Sequence, residues 1–248
     1  MATRAVLEKL WNSARPTRKV FDPGELFHLP APARDYLRHA IAPGTPLASA
    51  VRLRMHGEIK LGEWTPFTAE QVINRERGMI WRAATRMNGL PVRGSDAIID
   101  ETGASRWKLL GIIPVVSASG RDVTRSAAGR TNIESIWLPS VLCQDNISWS
   151  RLESGHALAR FAAHGEATEL ELQVAGNGAL QSVSILRWGN PDGGPFGYHP
   201  FGGLLEAERE FAGYTIPVSV RVGWRFNGAE FEGGGEFFRA TIDDAIFR

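Results

Sequence analysis

The sequence contains very little cysteine: Cys143 is the only one in 248 residues. A disulfide within the chain is therefore excluded, and so is a zinc site built from several cysteines. Scarce cysteine is typical of a reducing compartment, so we expect a cytoplasmic protein. An excess of either charge is missing as well, since the net charge is +1. This balance does not favour binding to nucleic acid or to an anionic membrane surface.

Long apolar runs are also missing from the N-terminal stretch, MATRAVLEKLWNSARPTRK. It has no apolar core of the length that a signal peptide or a membrane span needs, and no small-residue cleavage site. We therefore expect neither of these segments at this end of the chain.

Motifs for metals, nucleotides and hydrolytic nucleophiles are absent from the sequence. No two histidines have the spacing of a helical zinc motif, no serine lies in G-x-S-x-G, and no glycine-rich stretch carries the lysine of a phosphate loop. We therefore expect no metal and no cofactor. One histidine, His199, is a candidate general base because it lies in a glycine- and proline-rich segment from which it could reach a ligand.

What the sequence has in abundance is alternation of apolar and polar side chains, the pattern of a half-buried β-strand. Val51, Leu53 and Met55 begin it, and similar runs fill residues 49–118 and 147–248. Sequential hairpins favour an antiparallel sheet, and a sheet of about ten or more strands curls because its twist accumulates. We therefore predict a mainly β fold with a few helices, built on a large curved antiparallel sheet, a half-barrel or a barrel.

The chain is predicted to be a single domain, residues 1–248. Its parts are an N-terminal helical segment (1–45), the first strands (49–118), a central helix (121–142) and the second strand group (147–248).

Local signals refine this organisation. Thr3 to Ser13 and Ala33 to Ile41 have the apolar spacing of short amphipathic helices. Asn177-Gly178 between two alternating runs is the strongest hairpin signal in the chain. The glycines 233–235 are expected to form a bulge or a strong bend within the last strand, Glu230 to Phe247.

The one long segment with a helical period runs from Arg121 to Cys143. Its apolar residues recur about every 3.6 positions, at Val123, Ala127, Ile133, Ile136, Trp137 and Val141. Pro139 cannot continue a regular helix, so the chain is expected to turn or kink there. We expect this helix to cross the concave side of the sheet, beside a cavity that suits an apolar ligand.

Arg130 and Glu134 are four residues apart, so they lie on one side of this helix. In a pocket, Glu134 could act as a base, and Arg130 could bind an anion or polarise a carbonyl. Two structural interpretations stay open: a solvated ion pair on the helix surface, and a buried pair that closes off backbone groups of the sheet.

Aromatic residues supply the candidates for ligand contact. Trp81 and Trp137 are expected to line the pocket, although most tryptophans are expected in the core. Gly189 to Gly203, GNPDGGPFGYHPFGG, is predicted to be an irregular loop, either a lid, a disordered segment or an oligomer contact. Its aromatic residues for such a lid are Phe196, Tyr198 and Phe201.

Several motifs in this sequence resemble those of one bacterial family. They are Leu29-Pro30-Ala31-Pro32 with Tyr36-Leu37, Trp64-Thr65-Pro66-Phe67-Thr68-Ala69-Glu70-Gln71, Trp81 with Ala83, Gly94 with Asp96, Lys108-Leu109-Leu110-Gly111 with Pro114-Val115, the helical set Arg130, Glu134, Trp137 and Pro139, and finally Gly213, Ile216-Pro217 and Trp224. By their order and spacing over most of the chain, the sequence resembles the DUF6544/DUF6920-type proteins, named only as a domain of unknown function. The resemblance implies no activity and no catalytic residue, and for such a family we expect a curved sheet like that of lipoprotein carriers.

Three functional hypotheses follow. The first is binding of a small hydrophobic or amphiphilic molecule in the cavity of the curved sheet, with Arg130 at its polar end. The alternative is a cofactor-independent enzyme of the isomerase, cyclase or hydrolase type that acts on such a molecule through Glu134 or His199. The third is a structural or partner-binding protein, and the sequence is compatible with a homo-oligomer.

Overall fold

The computed structural model describes residues 4–152 and 155–248 of the chain. Among these residues, thirteen β-strands join one sheet. In chain order the strands are β1 (Ala50–Leu61), β2 (Glu63–Asn74), β3 (Gly78–Met87), β4 (Leu90–Ile99), β5 (Thr102–Leu109), β6 (Ile113–Ser119), β7 (Ser148–Arg151), β8 (His156–Ala163), β9 (Glu166–Val174), β10 (Leu180–Gly189), β11 (Gly197–Phe211), β12 (Tyr214–Trp224) and β13 (Glu236–Phe247). The helices are α1 (Arg4–Asn12), α2 (Ala31–Ala40) and α3 (Arg121–Ile133), with 3₁₀ turns at Pro23–Leu26, Glu134–Trp137 and Pro139–Cys143 and a π turn at Phe231–Gly235.

The sheet is open and antiparallel, in the order β6-β5-β4-β3-β2-β1-β13-β12-β11-β10-β9-β8-β7. Each half is a series of consecutive hairpins, and the halves join where β1 pairs with β13. The predicted fold class, mainly β with a few helices on a large curved antiparallel sheet, is confirmed. The sheet is open and not closed into a barrel, since β6 and β7 are its two edges.

Two hairpins agree with the local sequence signals. Gly178 in the Asn177-Gly178 turn between β9 and β10 has a φ of +89°, and a Cβ there would lie 2.6 Å from the backbone oxygen of Asp35 in α2. Glycine is therefore required both by the turn and by the helix above it. The predicted pairing on either side of residues 153–155 is confirmed by β7 and β8, while Glu153 and Ser154 of that turn lie outside the described residues.

The two predicted N-terminal helices are present and pack on opposite faces of the sheet. Leu7 and Leu10 of α1 are buried against Val72 and Ile80, while Tyr36 of α2 lies in the main core. The residues that flank Val72 and Ile80 point the other way because side chains alternate along a strand. Thr3, the predicted start of α1, lies outside the described residues.

Helix α3 connects the two edge strands and contacts both halves of the sheet. The backbone N–H of Gly103 on β5 donates to Thr124 Oγ1 at 2.9 Å. The next residue, Arg125, donates from Nε and Nη2 to Glu166 on β9 at 3.0 and 3.1 Å. Because one helix meets strands from both halves, the sheet curls around it, and α3 lies across the concave side.

The central helix is shorter than predicted. The α-helical hydrogen bonding ends at Ile133 rather than continuing to residue 142, and two 3₁₀ turns follow. Leu138 between these turns has a φ of −134° and a ψ of 67°, because the residue before a proline is excluded from the α region. The predicted turn at Pro139 is therefore confirmed. Before this turn, at Glu134, the chain has already changed from α-helical to 3₁₀ hydrogen bonding.

The prediction that Gly189 to Gly203 is irregular is wrong for most of the segment. β10 extends to Gly189 and β11 begins at Gly197, so only residues 190–196 connect the strands. A Cβ at Gly202 would lie 2.5 Å from the ring of Phe226 and from the backbone oxygen of Val183. Glycine at this position permits close packing within the strand and does not interrupt it.

The last strand also starts later than predicted. Residues 231–235 form a π turn between β12 and β13, so the three glycines precede β13 and do not bulge within it. β13 begins at Glu236, whose side chain is buried. Its carboxylate accepts from Arg221 Nη2 at 2.6 Å and from Arg239 Nε at 2.5 Å.

These bonds make Glu236 a pH-dependent contributor to stability. Hydrogen bonds from Arg221, then from Arg239, lower the pKa of Glu236 from its ordinary value of 4.5 to about 2. Since the folded pKa is depressed, the stabilisation is complete above pH 4.5 and is lost as the pH falls towards 2. We predict that Glu236→Gln lowers the free energy of unfolding by roughly 1–3 kcal/mol at neutral pH, because the hydrogen bonds from both arginines lose their charged acceptor. The effect stays within this range because both arginines are partly solvated.

Urea denaturation at neutral pH and in steps below pH 4.5 measures this effect. The difference between wild type and Glu236→Gln should shrink as the pH falls. Glu210→Gln on the exposed end of β11 is the matched control, and it should change stability little at any pH. A difference for Glu236→Gln that does not depend on pH would contradict the assignment.

Candidate functional site

A cavity of about 260 Å³ lies between the concave face of the sheet and the chain from Arg130 to Trp137. Its walls are mainly apolar, with aliphatic side chains from β1, β10, β11 and β12. The aromatic side chains that line it are Trp81, Trp137, Phe201, Trp224, Phe237 and Phe238. The charged residues in its lining are Asp96, Arg130, Glu134 and Arg187. The cavity therefore has an apolar body and a charged region next to α3.

Arg130 is held by two carboxylates. Its Nε donates to Glu134 Oε1 at 2.8 Å, and its Nη1 donates to Asp96 Oδ2 on β4 at 3.2 Å. Its guanidinium carbon also lies 4.9 Å from the ring centroid of Trp81. Burial opposes the charged form of Arg130, but Glu134 and Asp96 outweigh it and raise the pKa of Arg130. Arg130 is thus a permanent cation with its counter-ions in place.

Both carboxylates are fixed by further donors. Glu134 Oε2 accepts from Gln71 Nε2 on β2 at 2.6 Å. Asp96 Oδ1 accepts from Ser105 Oγ at 2.7 Å and from Trp107 Nε1 at 3.0 Å. The helix is therefore tied to β2, β4 and β5 through one polar network, which holds the charged groups in a single arrangement.

Arg187 on β10 is the second arginine of the cavity. Its Nε donates to the Ser126 backbone oxygen at 3.1 Å, and its Nη2 donates to Ser126 Oγ at 3.3 Å. The guanidinium carbon lies 4.5 Å from the ring centroid of Phe201 and 5.0 Å from that of Trp224. Burial, and after it the charge of Arg130, lower the pKa of Arg187 to about 9.

Sequence reasoning missed Arg187 and did not give Asp96 a role in the site. A signal for both was present. Val183, Ile185 and Arg187 alternate along β10, so Arg187 occupies a position where the strand pattern calls for an apolar side chain. Asp96 on β4 likewise lies two positions from the buried Ile98, where the strand pattern also calls for an apolar side chain.

Five of the eight predicted site residues line the cavity: Trp81, Arg130, Glu134, Trp137 and Phe201. Trp137 is fixed by a hydrogen bond from its Nε1 to the Pro217 backbone oxygen on β12, at 3.0 Å. Phe201 lies edge-on to Trp224, with ring centroids 4.9 Å apart. Their roles in binding or chemistry stay predictions.

The structure does not bring Phe196, Tyr198 and His199 into the lining of the cavity. Tyr198 donates to Glu166 and accepts from Arg125 Nη2 at 2.7 Å, so it belongs to the ion pair that ties α3 to β9. His199 lies behind Trp224, with ring centroids 6.3 Å apart. Phe196 precedes β11, and Tyr198 points to the opposite face from Phe201 because side chains alternate along the strand. His199 is on the same face as Phe201 and pairs with Arg187 of β10, but it is not among the residues that line the cavity.

No group of three or more His, Cys, Asp or Glu side chains within residues 4–152 and 155–248 could hold a metal ion. In the same part of the chain, no helix has the length and apolar character that crossing a membrane requires.

The fold and the site define a class of protein: an open, curled antiparallel sheet with one helix across its concave side and an apolar cavity between them. Within that class, the chain belongs to DUF6920, a family of unknown function, whose family model matches residues 27–247. The family predicted from the sequence motifs is thereby confirmed.

Solved structures and curated proteins were also compared with the chain. A crystal structure described as an outer membrane lipoprotein-sorting protein domain, from Vibrio parahaemolyticus, has 8% sequence identity and a TM-score of 0.42 over 81% of this chain and 86% of that chain. A LolA superfamily protein from Nitrosomonas europaea has 8% identity and a TM-score of 0.46 over 88% of this chain and 92% of that chain. Among curated proteins, none matches the chain.

The coupling between Arg130 and Glu134 can be measured. Arg130→Met leaves the buried Glu134 without its cation, so we predict that it lowers the free energy of unfolding by about 3–5 kcal/mol, and that Glu134→Leu, which leaves Arg130 paired with Asp96, lowers it by less. The double variant should be less destabilised than the sum of the two, by about 1–3 kcal/mol, because it no longer leaves a buried Glu134 without its cation. Chemical denaturation of all four proteins measures the coupling.

The exposed pair Arg160 and Glu169, whose Nε and Oε1 are 2.7 Å apart, is a matched control on β8 and β9. Its coupling should be below about 1 kcal/mol. Equal couplings for the two pairs would mean that the helix pair is no more desolvated than a surface pair.

Proposed function

We propose that the chain binds a small hydrophobic or amphiphilic molecule in the cavity between α3 and the sheet. The observation that carries this proposal is the wall itself, in which six aromatic rings from β3, β11, β12, β13 and the chain after α3 face one space. Aromatic side chains bury a large apolar area on contact with a ligand. A concave, mainly apolar pocket with a few convergent polar groups is the usual form of a small-molecule site.

The size of the cavity supports a ligand of modest length. An apolar cavity of roughly 150 Å³ stays dry and binds benzene. Scaled by volume, the cavity of about 260 Å³ accommodates roughly ten non-hydrogen atoms. Octanol has this size, and we choose it as the neutral probe.

The arrangement of charges supports an amphiphile rather than a hydrocarbon. Arg130, Glu134, Asp96 and Arg187 lie together at one part of the lining. An apolar tail can then contact the aromatic wall while a polar end stays near these groups, so that neither end is buried in the wrong environment.

The alternative is a cofactor-independent enzyme that acts on a similar molecule. The observation that favours it is the presence of two carboxylates and two arginines in an apolar cavity, where fixed charges act strongly on a bound molecule. Each oxygen of Glu134 accepts one of the hydrogen bonds described above and retains acceptor capacity for a proton. His199 does not line this cavity, so Glu134 is the stronger candidate for the base.

Filling the cavity should block binding. Val222 lines it from β12, and we predict that Val222→Phe weakens octanol binding by tenfold or more, because hydrophobic pockets discriminate by about 1–3 kcal/mol per added or missing methylene. Isothermal titration calorimetry measures the affinity, and thermal denaturation shows whether the variant is folded.

Val115→Phe makes the same change on β6, where Val115 is 41% exposed and outside the cavity. This control should bind octanol like the wild type. Binding that survives Val222→Phe unchanged would place the ligand elsewhere. Mass spectrometry of candidate ligands after incubation tests the enzyme alternative. That alternative requires turnover by the wild type and loss of turnover in a folded Glu134→Gln variant.

A further inference from the structure

The two arginines in the cavity lining differ in one respect. Arg130 is within ion-pair distance of Glu134 and Asp96. Within residues 4–152 and 155–248, no carboxylate lies within 4.0 Å of the guanidinium of Arg187. Its Nε and Nη2 both donate to Ser126, whereas its Nη1 has no hydrogen-bond acceptor among these residues. Arg187 therefore has no carboxylate in direct contact, and Glu134 and Asp96 act on its charge only from a greater distance.

The surroundings of Arg187 make this charge costly. Its faces lie against Phe201 and Trp224, and the positive Arg130 is close enough to lower its pKa, after the larger effect of burial. A cation removed from water without a counter-ion is unfavourable unless a partner restores the lost interactions. At neutral pH the guanidinium is still charged, since its pKa is lowered only to about 9.

A small oxyanion would offset both penalties at once. It would supply a counter-ion in direct contact, and it would accept hydrogen bonds from the planar guanidinium, a geometry that suits carboxylate and phosphate groups. The tail of such a molecule would extend along the aromatic wall, since Phe201 and Trp224 contact Arg187 and line the cavity too.

We propose that the ligand of this cavity is an anionic amphiphile whose head group, a carboxylate or a similar small oxyanion, is bound by Arg187 rather than by the already paired Arg130. This inference rests on the proposed binding function and adds the chemical class of the ligand. It also moves the polar contact from the helix, where the sequence placed it, to β10.

Three eight-carbon probes that differ mainly in head group test the inference: octanoate, octanol and octylammonium. By isothermal titration calorimetry at neutral pH, wild type should bind octanoate about tenfold or more tighter than octanol, since hydrogen bonds to charged groups are the stronger ones. The ammonium probe should bind weakest, because it would lie beside two arginines.

Arg187→Met should remove the preference for octanoate, with a loss of affinity about tenfold larger for octanoate than for octanol, because methionine keeps an apolar stem in the wall but cannot pair with the carboxylate. Arg160→Met on the exposed face of β8 is the matched control. It also removes one positive charge from the chain and should leave the preference intact. Octyl phosphate, added as a fourth probe, shows whether the site favours a carboxylate or accepts phosphate equally.

The outcomes separate the two proposals. Equal affinity of wild type for octanoate and octanol overturns the anionic head group and leaves the binding function standing, and this comparison requires no variant to fold. A preference for octanoate that persists in folded Arg187→Met overturns the role of Arg187. Failure of wild type to bind any of the probes counts against the binding function itself.

Discussion

Two adjacent residues of α3 set the shape of the whole sheet. Thr124 contacts β5 and Arg125 contacts β9, yet these strands are nine strand positions apart in the sheet order. In a flat sheet that separation would be about 43 Å, because neighbouring strands are about 4.8 Å apart. No pair of neighbouring side chains spans such a distance, so the sheet has to curl until both halves meet the helix. The cavity is the space that remains on the concave side after this curl.

The same curl decides the electrostatics of the site. As the sheet closes on α3, the polar turn that carries Arg130 and Glu134 is removed from water, and each of its charges has to find a partner on a strand. Gln71 and Asp96 provide these partners from β2 and β4. The buried-pair interpretation of Arg130 and Glu134 and the functional one are therefore compatible. The pair attaches the helix to the sheet, and it also forms part of the cavity lining.

Alternation and helical period are sufficient to predict the sheet, a central helix and the placement of Arg130 and Glu134 on one side of that helix, because these patterns depend on neighbouring residues only. They do not decide between a solvated pair, a buried pair and a pocket. They failed where a distant contact decides the local structure. Glycine and proline content predicts Gly202 as a loop residue, but it is in β11, where the close approach of Phe226 and Val183 leaves no room for a side chain. Tyr198 is predicted to lie in an irregular segment that is a lid, a disordered stretch or an oligomer contact, but Arg125 and Glu166 from other elements hold it. Neither partner can be identified from spacing along the chain.

Arg187 shows how residues of a cavity can be identified from the sequence of a strand. A charged residue at an inward position of an alternating strand has to be compensated by something that the strand itself does not contain. Asp96 meets this requirement through Arg130, Ser105 and Trp107. Arg187 meets it only in part, through one serine. Glu134 and Asp96 act on Arg187 only from a distance, and direct contact with a carboxylate is what the proposed ligand would add. In our proposal the two inward charges have different roles: Asp96 completes the fold, and Arg187 binds the ligand.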